Sequence, residues 1–257
     1  KPDKAESKIY NDHIEGNLLA DKYNPNKYLN YYNKYTPSEL SASSNTLFFN
    51  TQNLQVVTKN LAGDNLDVNA IVSNKYSKMN YSDIWENTTI RNNNNNPLKN
   101  LSKTKEIYIG GEESCFIICK KNKARKDLII NGEGNKGSRN EIHLTGTIYV
   151  NGDLEIKNTN LKSDALIYVN GEVTIRESTL RGLNDDSTLI IFANGQIKIS
   201  NISEFDPNPS IIKGFFYTKQ NMEMYGVGSN IEIHGGLSSK RLILTAVRGT
   251  TQKNDKN

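Results

Sequence analysis

The chain has 257 residues, enough for one domain or two, and its 32 Lys and Arg against 28 Asp and Glu leave a formal net charge of +4. So small an excess carries no nucleic-acid or membrane-surface signature, and no apolar run is long enough to span a bilayer. Frequent Asn and low mean hydropathy suit a thin apolar core under a large polar surface.

The sequence opens on Lys1-Pro2-Asp3, without an initiator Met or a signal-peptide pattern. It reads as a trimmed or processed product, so any membrane attachment would run through a missing N-terminal anchor. Residues 1–45 are an arm or cap and hold six of the thirteen tyrosines, Tyr10, Tyr23, Tyr28, Tyr31, Tyr32 and Tyr35. Within it, residues 12–21 place Ile14, Leu18 and Leu19 on one face of a short helix, and Pro25 and Pro37 interrupt any regular structure after it. A stack of repeats needs such a cover, because its raw ends expose strand edges.

Residues 46–73 read as a first coil, with residues 65–72 alternating as a strand does. Residues 74–105 are a long excursion that carries the single Trp, Trp85, and the run Asn92 to Asn96, which reads as a loose loop tip. Tyr76, Met79, Tyr81 and Trp85 are the residues that would pack this excursion back onto the stack. Cys115 and Cys119 share one strand-like run, where their Cα atoms would stand about 13 Å apart, beyond the reach of a disulfide. They read as small packing residues. The basic run 120–126 reads as a solvated loop.

The centre of the chain repeats. Ile148-Tyr149-Val150-Asn151-Gly152-Asp153-Leu154-Glu155-Ile156 returns as IYVNGEVTI at 167–175, as IFANGQIKI at 191–199, and as FYTKQNMEM at 216–224. Residues 107–111 and 128–132 carry its first half. Corner markers at 110, 131, 151, 170, 194 and 219 step by 21, 20, 19, 24 and 25 residues, and an eroded copy comes last at 237–244. Each half alternates at the strand period, and neither half can bury its apolar face alone, so successive turns must stack. Asn-Gly between alternating runs is also a hairpin signal and would give an antiparallel sandwich. Recurrence at one spacing favours the coil: a parallel β-helix of seven or eight turns over 46–250, ending in a polar tail at 251–257.

Stacked in parallel, Ile148, Ile167 and Ile191 point inward, as do Val150, Val169 and Ala193. Asn151, Asn170 and Asn194 form an amide ladder. Tyr108, Ile129, Tyr149, Tyr168, Phe192 and Tyr217 point outward as an apolar ladder with steps of about 4.8 Å. Such a strip is either a platform for a sugar or a partner protein, or it lies under the arm or the excursion. Tyr108, Tyr149, Tyr168, Phe192 and Tyr217 are therefore the candidate binding residues. Two longer turns bring Asp185, Asp186, Glu204 and Asp206 to one corner, an oxygen set suited to Ca²⁺. No other cofactor is implied. His13, His143 and His234 lie in different registers, with no nucleophile motif beside them.

The phrase at 148–156, together with NMEMYGVGSNIEIHGGL at 221–237 and LTAVRG at 244–249, resembles the exported, pilin-like surface proteins of low-GC Gram-positive bacteria. The resemblance covers residues 46–250. It implies a β-solenoid standing outside the cell behind an N-terminal hydrophobic segment. Bactofilins are similar in their repeat phrase but lack the long excursion and the Tyr-rich arm. The function expected is a non-enzymatic structural or adhesive module, pilin-like or pilus-associated, that binds other surface or pilus proteins or a cell-wall or host glycan. Its rivals are a carbohydrate-active enzyme on the same fold and a self-assembling scaffold polymer joined through open strand edges.

Overall fold

The structure, a computed structural model, describes residues 13–16, 66–112, 123–135, 137–202, 210–227 and 231–247. Two sheets of parallel strands wind around one interior. The first runs through β3 (Thr88–Ile90), β7 (Leu128–Asn131), β9 (Leu154–Lys157), β11 (Val173–Arg176), β14 (Ile197–Ile202), β16 (Asn221–Val227) and β18 (Arg241–Val247). β1 (His13–Gly16) closes its last edge antiparallel, Ile14 opposite Leu244. The second runs through β2 (Ile84–Trp85), β4 (Glu106–Ile109), β8 (Glu141–Val150), β10 (Asn160–Val169), β12 (Thr179–Gly182) with β13 (Leu189–Ala193), β15 (Ser210–Thr218) and β17 (Ile231–Ser238). A hairpin of β5 (Gly111–Glu112) and β6 (Lys123–Ala124) stands apart. One strand from each sheet makes a rung, and the described residues hold seven. The chain is a parallel β-helix.

Like residues lie over like. Ile107, Ile148, Ile167, Ile191 and Phe216 share one interior column, and Val150, Val169 and Ala193 share the next. Across the interior, Leu128, Leu154, Val173, Ile197 and Met222 face them. All of these are buried, at about 1.5–3 kcal/mol of hydrophobic stabilisation for each large side chain.

The Asn-Gly corners join no hairpin. Gly152, Gly171 and Gly195 have ordinary φ, unlike the glycines of a primed hairpin turn. They are glycine because the rungs press together there. A Cβ on Gly171 would sit 1.9 Å from Asp153 Oδ1 and 2.4 Å from the Gly152 carbonyl oxygen. At one register of the second sheet Gly146 (φ +85°) and Gly235 (φ +141°) take left-handed backbone, with Ala165, Leu189 and Gly214 on the rungs between them.

Several local readings change. Residues expected to alternate as a strand form helix α1 (Val68–Lys75), capped by the Asp67 carboxylate, which accepts from the Ala70 N–H at 2.9 Å. Val68 and Val72, four apart, form its buried face. The first rung lies at β2 and β3, inside the stretch read as an excursion. Leu128–Asn131 is a strand of the first sheet paired with β9, so Ile129 stacks on Glu155 and not on a tyrosine. Gly110 to Asn151 is thus a single step of the coil, with Ile109 opposite Val150. His13–Gly16 is a strand where helical spacing suggested a helix, because the open edge of β18 outweighs weak local propensity. Residues 46–65, the rest of 1–45, Cys115, Cys119 and the tail at 251–257 lie outside the described residues.

Candidate functional site

The outward aromatic column forms in register: Tyr108, Tyr149, Tyr168, Phe192 and Tyr217 are consecutive neighbours across β4, β8, β10, β13 and β15. Tyr149 and Tyr168 stack at 5.3 Å and 9°, and Tyr168 and Phe192 at 5.4 Å and 16°. Phe192 to Tyr217 is 5.7 Å and tilted by 57°. In the stacked part each ring face is turned to the next ring, and ring edges point outward. Beside this column, Leu166, Ile190 and Phe215 share a second outward register, and Phe215 is 53 % exposed.

A strap lies across the first half of the column. Helix α1, followed by turns at Tyr76–Lys78 and Tyr81–Asp83, packs Val68, Val72, Tyr76 and Met79 against Tyr108, Tyr149, Tyr168 and Phe192, with Ile84 of β2 heading the column in register with Tyr108. Tyr76 meets Tyr108 edge-on at 5.3 Å. Tyr108, Tyr149 and Tyr217 are buried, while Tyr168 and Phe192 remain half-buried.

Glu106 latches the strap. Its carboxylate accepts from Lys75 Nζ at 2.6 and 2.5 Å and from the Tyr149 hydroxyl at 2.9 Å. Lys75 Nζ also sits 5.0 Å from the Tyr149 ring centre. Burial alone would raise the Glu106 carboxyl, but these hydrogen bonds and the Lys75 charge hold it below its usual range. Burial, then the Glu106 carboxylate, pushes the Tyr149 phenol up. Burial pushes Tyr108 up to about 12, and its hydroxyl has no hydrogen-bond partner among the described residues. A second ion pair, Lys105 to Asp83 at 2.6 Å, ties the end of the strap to the coil.

The corners carry amide and hydroxyl ladders. Asn194 Nδ2 donates to Asn170 Oδ1 at 3.4 Å, Asn170 Nδ2 to Asn151 Oδ1 at 3.1 Å, and Asn151 Nδ2 to the Ala124 carbonyl at 3.2 Å. Below them Asp127 accepts from the Asp153 N–H, and Asp153 from the Glu172 N–H, each at 2.8 Å. The opposite corner hides a ladder that the repeat phrase did not reveal. Thr159, Ser178 and Asn201 are buried, the Thr159 N–H donates to Ser178 Oγ at 3.3 Å, and the Ser178 N–H donates to Asn201 Oδ1 at 3.1 Å. Its signal was a polar residue about twenty positions apart, just after each second segment.

Asp185 and Asp186 are exposed, and the Asp185 carbonyl accepts from Lys213 Nζ at 2.6 Å. Glu204 and Asp206, their expected companions for Ca²⁺, lie outside the described residues. Among the described residues no three His, Cys, Asp or Glu side chains gather as a metal site. His143 and His234 sit on separate rungs, each against a carboxylate of its own strand, Glu141 at 2.7 Å and Glu232 at 2.5 Å. Part of the basic run is tied down by Arg125 to Asp153 at 3.0 Å.

Stacked parallel coils, amide-laddered corners and a strapped aromatic column define a β-solenoid. No protein-family model, no curated protein and no solved structure matches this chain.

Proposed function

We propose that this chain is a non-enzymatic solenoid, a structural or adhesive module on the outer surface of a bacterial cell that binds another surface protein through the side of its coil. The observation that carries this reading is how the carboxylates are used. Glu106, Glu141 and Glu155 all have carboxyls held below their usual range; burial opposes the shift, and ion pairs with Lys75, with Lys162 and His143, and with Lys157 and Arg176 outweigh it. An acid catalyst of glycoside cleavage needs the reverse, a carboxyl kept protonated near neutral pH. A protein partner is favoured over a sugar because the stacked rings of Tyr149, Tyr168 and Phe192 offer edges rather than the open face on which a sugar lies. Phe215 and Ile190 supply apolar contact beside them. The surface location rests on the resemblance of the repeat phrase to exported pilin-like proteins.

Incubation with a panel of cell-wall and host polysaccharides should release no new reducing ends. Release that disappears in Asp185→Ala and Asp186→Ala would establish the enzymatic rival. Protease treatment of intact cells that make the chain should cleave it, and full protection there would overturn the surface location. Phe192→Ser and Phe215→Ser should each weaken capture of the surface partner about tenfold or more, as loss of an apolar anchor does.

A further inference from the structure

The two ends of the coil are finished differently. Near the first end the loop of residues 91–105 lies along the edge of β8, while β2 and β3 of the first rung pair only with β4 and β7 among the described residues. Asn93 Oδ1 accepts from the His143 N–H at 2.8 Å, Asn96 Nδ2 donates to the His143 carbonyl at 2.6 Å, and the Leu98 carbonyl accepts from the Thr145 N–H at 3.0 Å. Leu98 is fully buried in the core. That edge has its backbone groups satisfied and is closed to another strand. At the last end, β1 covers β18, but among the described residues β17 pairs only with β15. Among the described residues nothing continues the inward columns past this strand: Ile233, which continues the column of Ile212, is 37 % exposed, and Ile231 is half-buried.

We propose that a second copy of this chain docks on this end, β17 pairing antiparallel with its counterpart about a two-fold axis at Ile233, so that the chain forms a closed dimer. The arm of β17 fixes the register. It starts at Ile231 and bends at Gly235, where φ is +141°, so Ile233 is its midpoint. An isologous contact must be self-complementary. Pairing about Ile233 sets Glu232 opposite the partner's His234, and His234 opposite the partner's Glu232. Within one copy these two side chains already touch at 2.5 Å and are about half exposed, 48 % for the imidazole and 50 % for the carboxylate. Opposed across the axis, they exchange one partner for an equivalent one. The same register brings Ile233 against the partner's Ile233 and Ile231 against the partner's Gly235, which covers the open core. A two-fold contact uses the β17 edge of both copies, so association through this end stops at two. Because β1 lengthens the opposite sheet by one strand, the two coils meet at an angle.

The test is sedimentation equilibrium of the full chain across a dilution series. The mass should rise with concentration and level off at twice that of one chain. Ile233→Lys should stay monomeric throughout and unfold at the temperature of the parent chain diluted to its monomer, since the position is open in the single chain. Glu232→Lys and His234→Glu should each weaken the dimer about tenfold, the first by losing the carboxylate that meets the partner's imidazole and the second by setting two carboxylates together, and E232K with H234E together should restore it. Ile233→Cys should give a covalent dimer on oxidation that the parent chain does not, because opposed Cα atoms in such a pair stand about 4.5–5.5 Å apart. A mass that stays at one chain, a mass that climbs past two, or a double variant no stronger than its singles would overturn the proposal.

Discussion

At the residue scale the repeat phrase is a set of vertical contacts. Asn170 both donates to Asn151 and accepts from Asn194, whereas Asn194 is the last amide of the ladder. Asn170→Ala should thus cost about 1–3 kcal/mol by leaving paired amides unsatisfied, and Asn194→Ala about 1 kcal/mol or less. Gly171→Ala should cost about 3 kcal/mol, since its Cβ would fall 1.9 Å from Asp153 Oδ1 and the neighbouring rung cannot retreat. Urea unfolding of the three variants would rank them, and a Gly171→Ala protein as stable as its parent would remove close approach as the reason for that glycine. The recurrence of Asn-Gly was legible as a corner, but its reason was not. Sequence carries the hairpin meaning of the dipeptide, while the vertical fit exists only once rungs are stacked.

At the scale of elements, the strap and the capping loop are the two pieces added to the coil. Both were hard to read. Leu66, Val68, Ala70 and Val72 alternate like a strand, yet Val68, Ile71 and Val72 behind Asp67 also spell a capped helix, and the buried face chose the helix. The Asn run at 92–96 has loop composition, but Asn93 and Asn96 form the lid on β8, and only the position of that edge shows it. Asn96→Ala should cost about 2 kcal/mol, losing its bonds to the His143 carbonyl and the Leu98 N–H. Amide exchange at Thr145 and His143 should speed before any other part of β8 loosens. The strap responds to pH at both extremes. The Glu106 carboxyl lies lower in the folded state than in the unfolded chain, so its contribution is whole above the ordinary carboxylate range and is lost as pH falls through the depressed value. Tyr108, Tyr149 and Tyr168 are raised, so theirs is whole below about pH 10 and is lost as pH rises further. Proteolysis within residues 66–83 should be slow between these limits and fast outside them. Glu106→Gln should flatten the acid limb and also soften the alkaline limb, since the carboxylate that helps raise Tyr149 is gone, at a cost of about 1 kcal/mol, a modest figure because the carboxylate is partly solvated.

At the scale of the whole molecule, stability is a sum of rungs and the contacts between neighbouring rungs. The parallel stack itself was legible because it rests on a period, and a period survives where single residues are ambiguous. Positions in the stack are not equivalent, however. Ile167 on β10 is fully buried between Ile148 above and Ile191 below. Leu242, on the last rung, pairs above with Met222, and among the described residues the four of β1 cover it beyond. Ile167→Ala should cost about 4 kcal/mol, because both neighbours hold the cavity open. Leu242→Ala should cost about 2 kcal/mol, because a terminal rung can collapse or fray into the space. Hydrogen exchange discriminates further than the midpoints do. The end variant should lose protection only in β17 and β18, whereas the central one should weaken β8 to β13 together, since each of those strands has lost a partner's support on one side. Uniform loss of protection in both variants would mean that the coil unfolds as one cooperative block, with the couplings between rungs stronger than the rungs themselves.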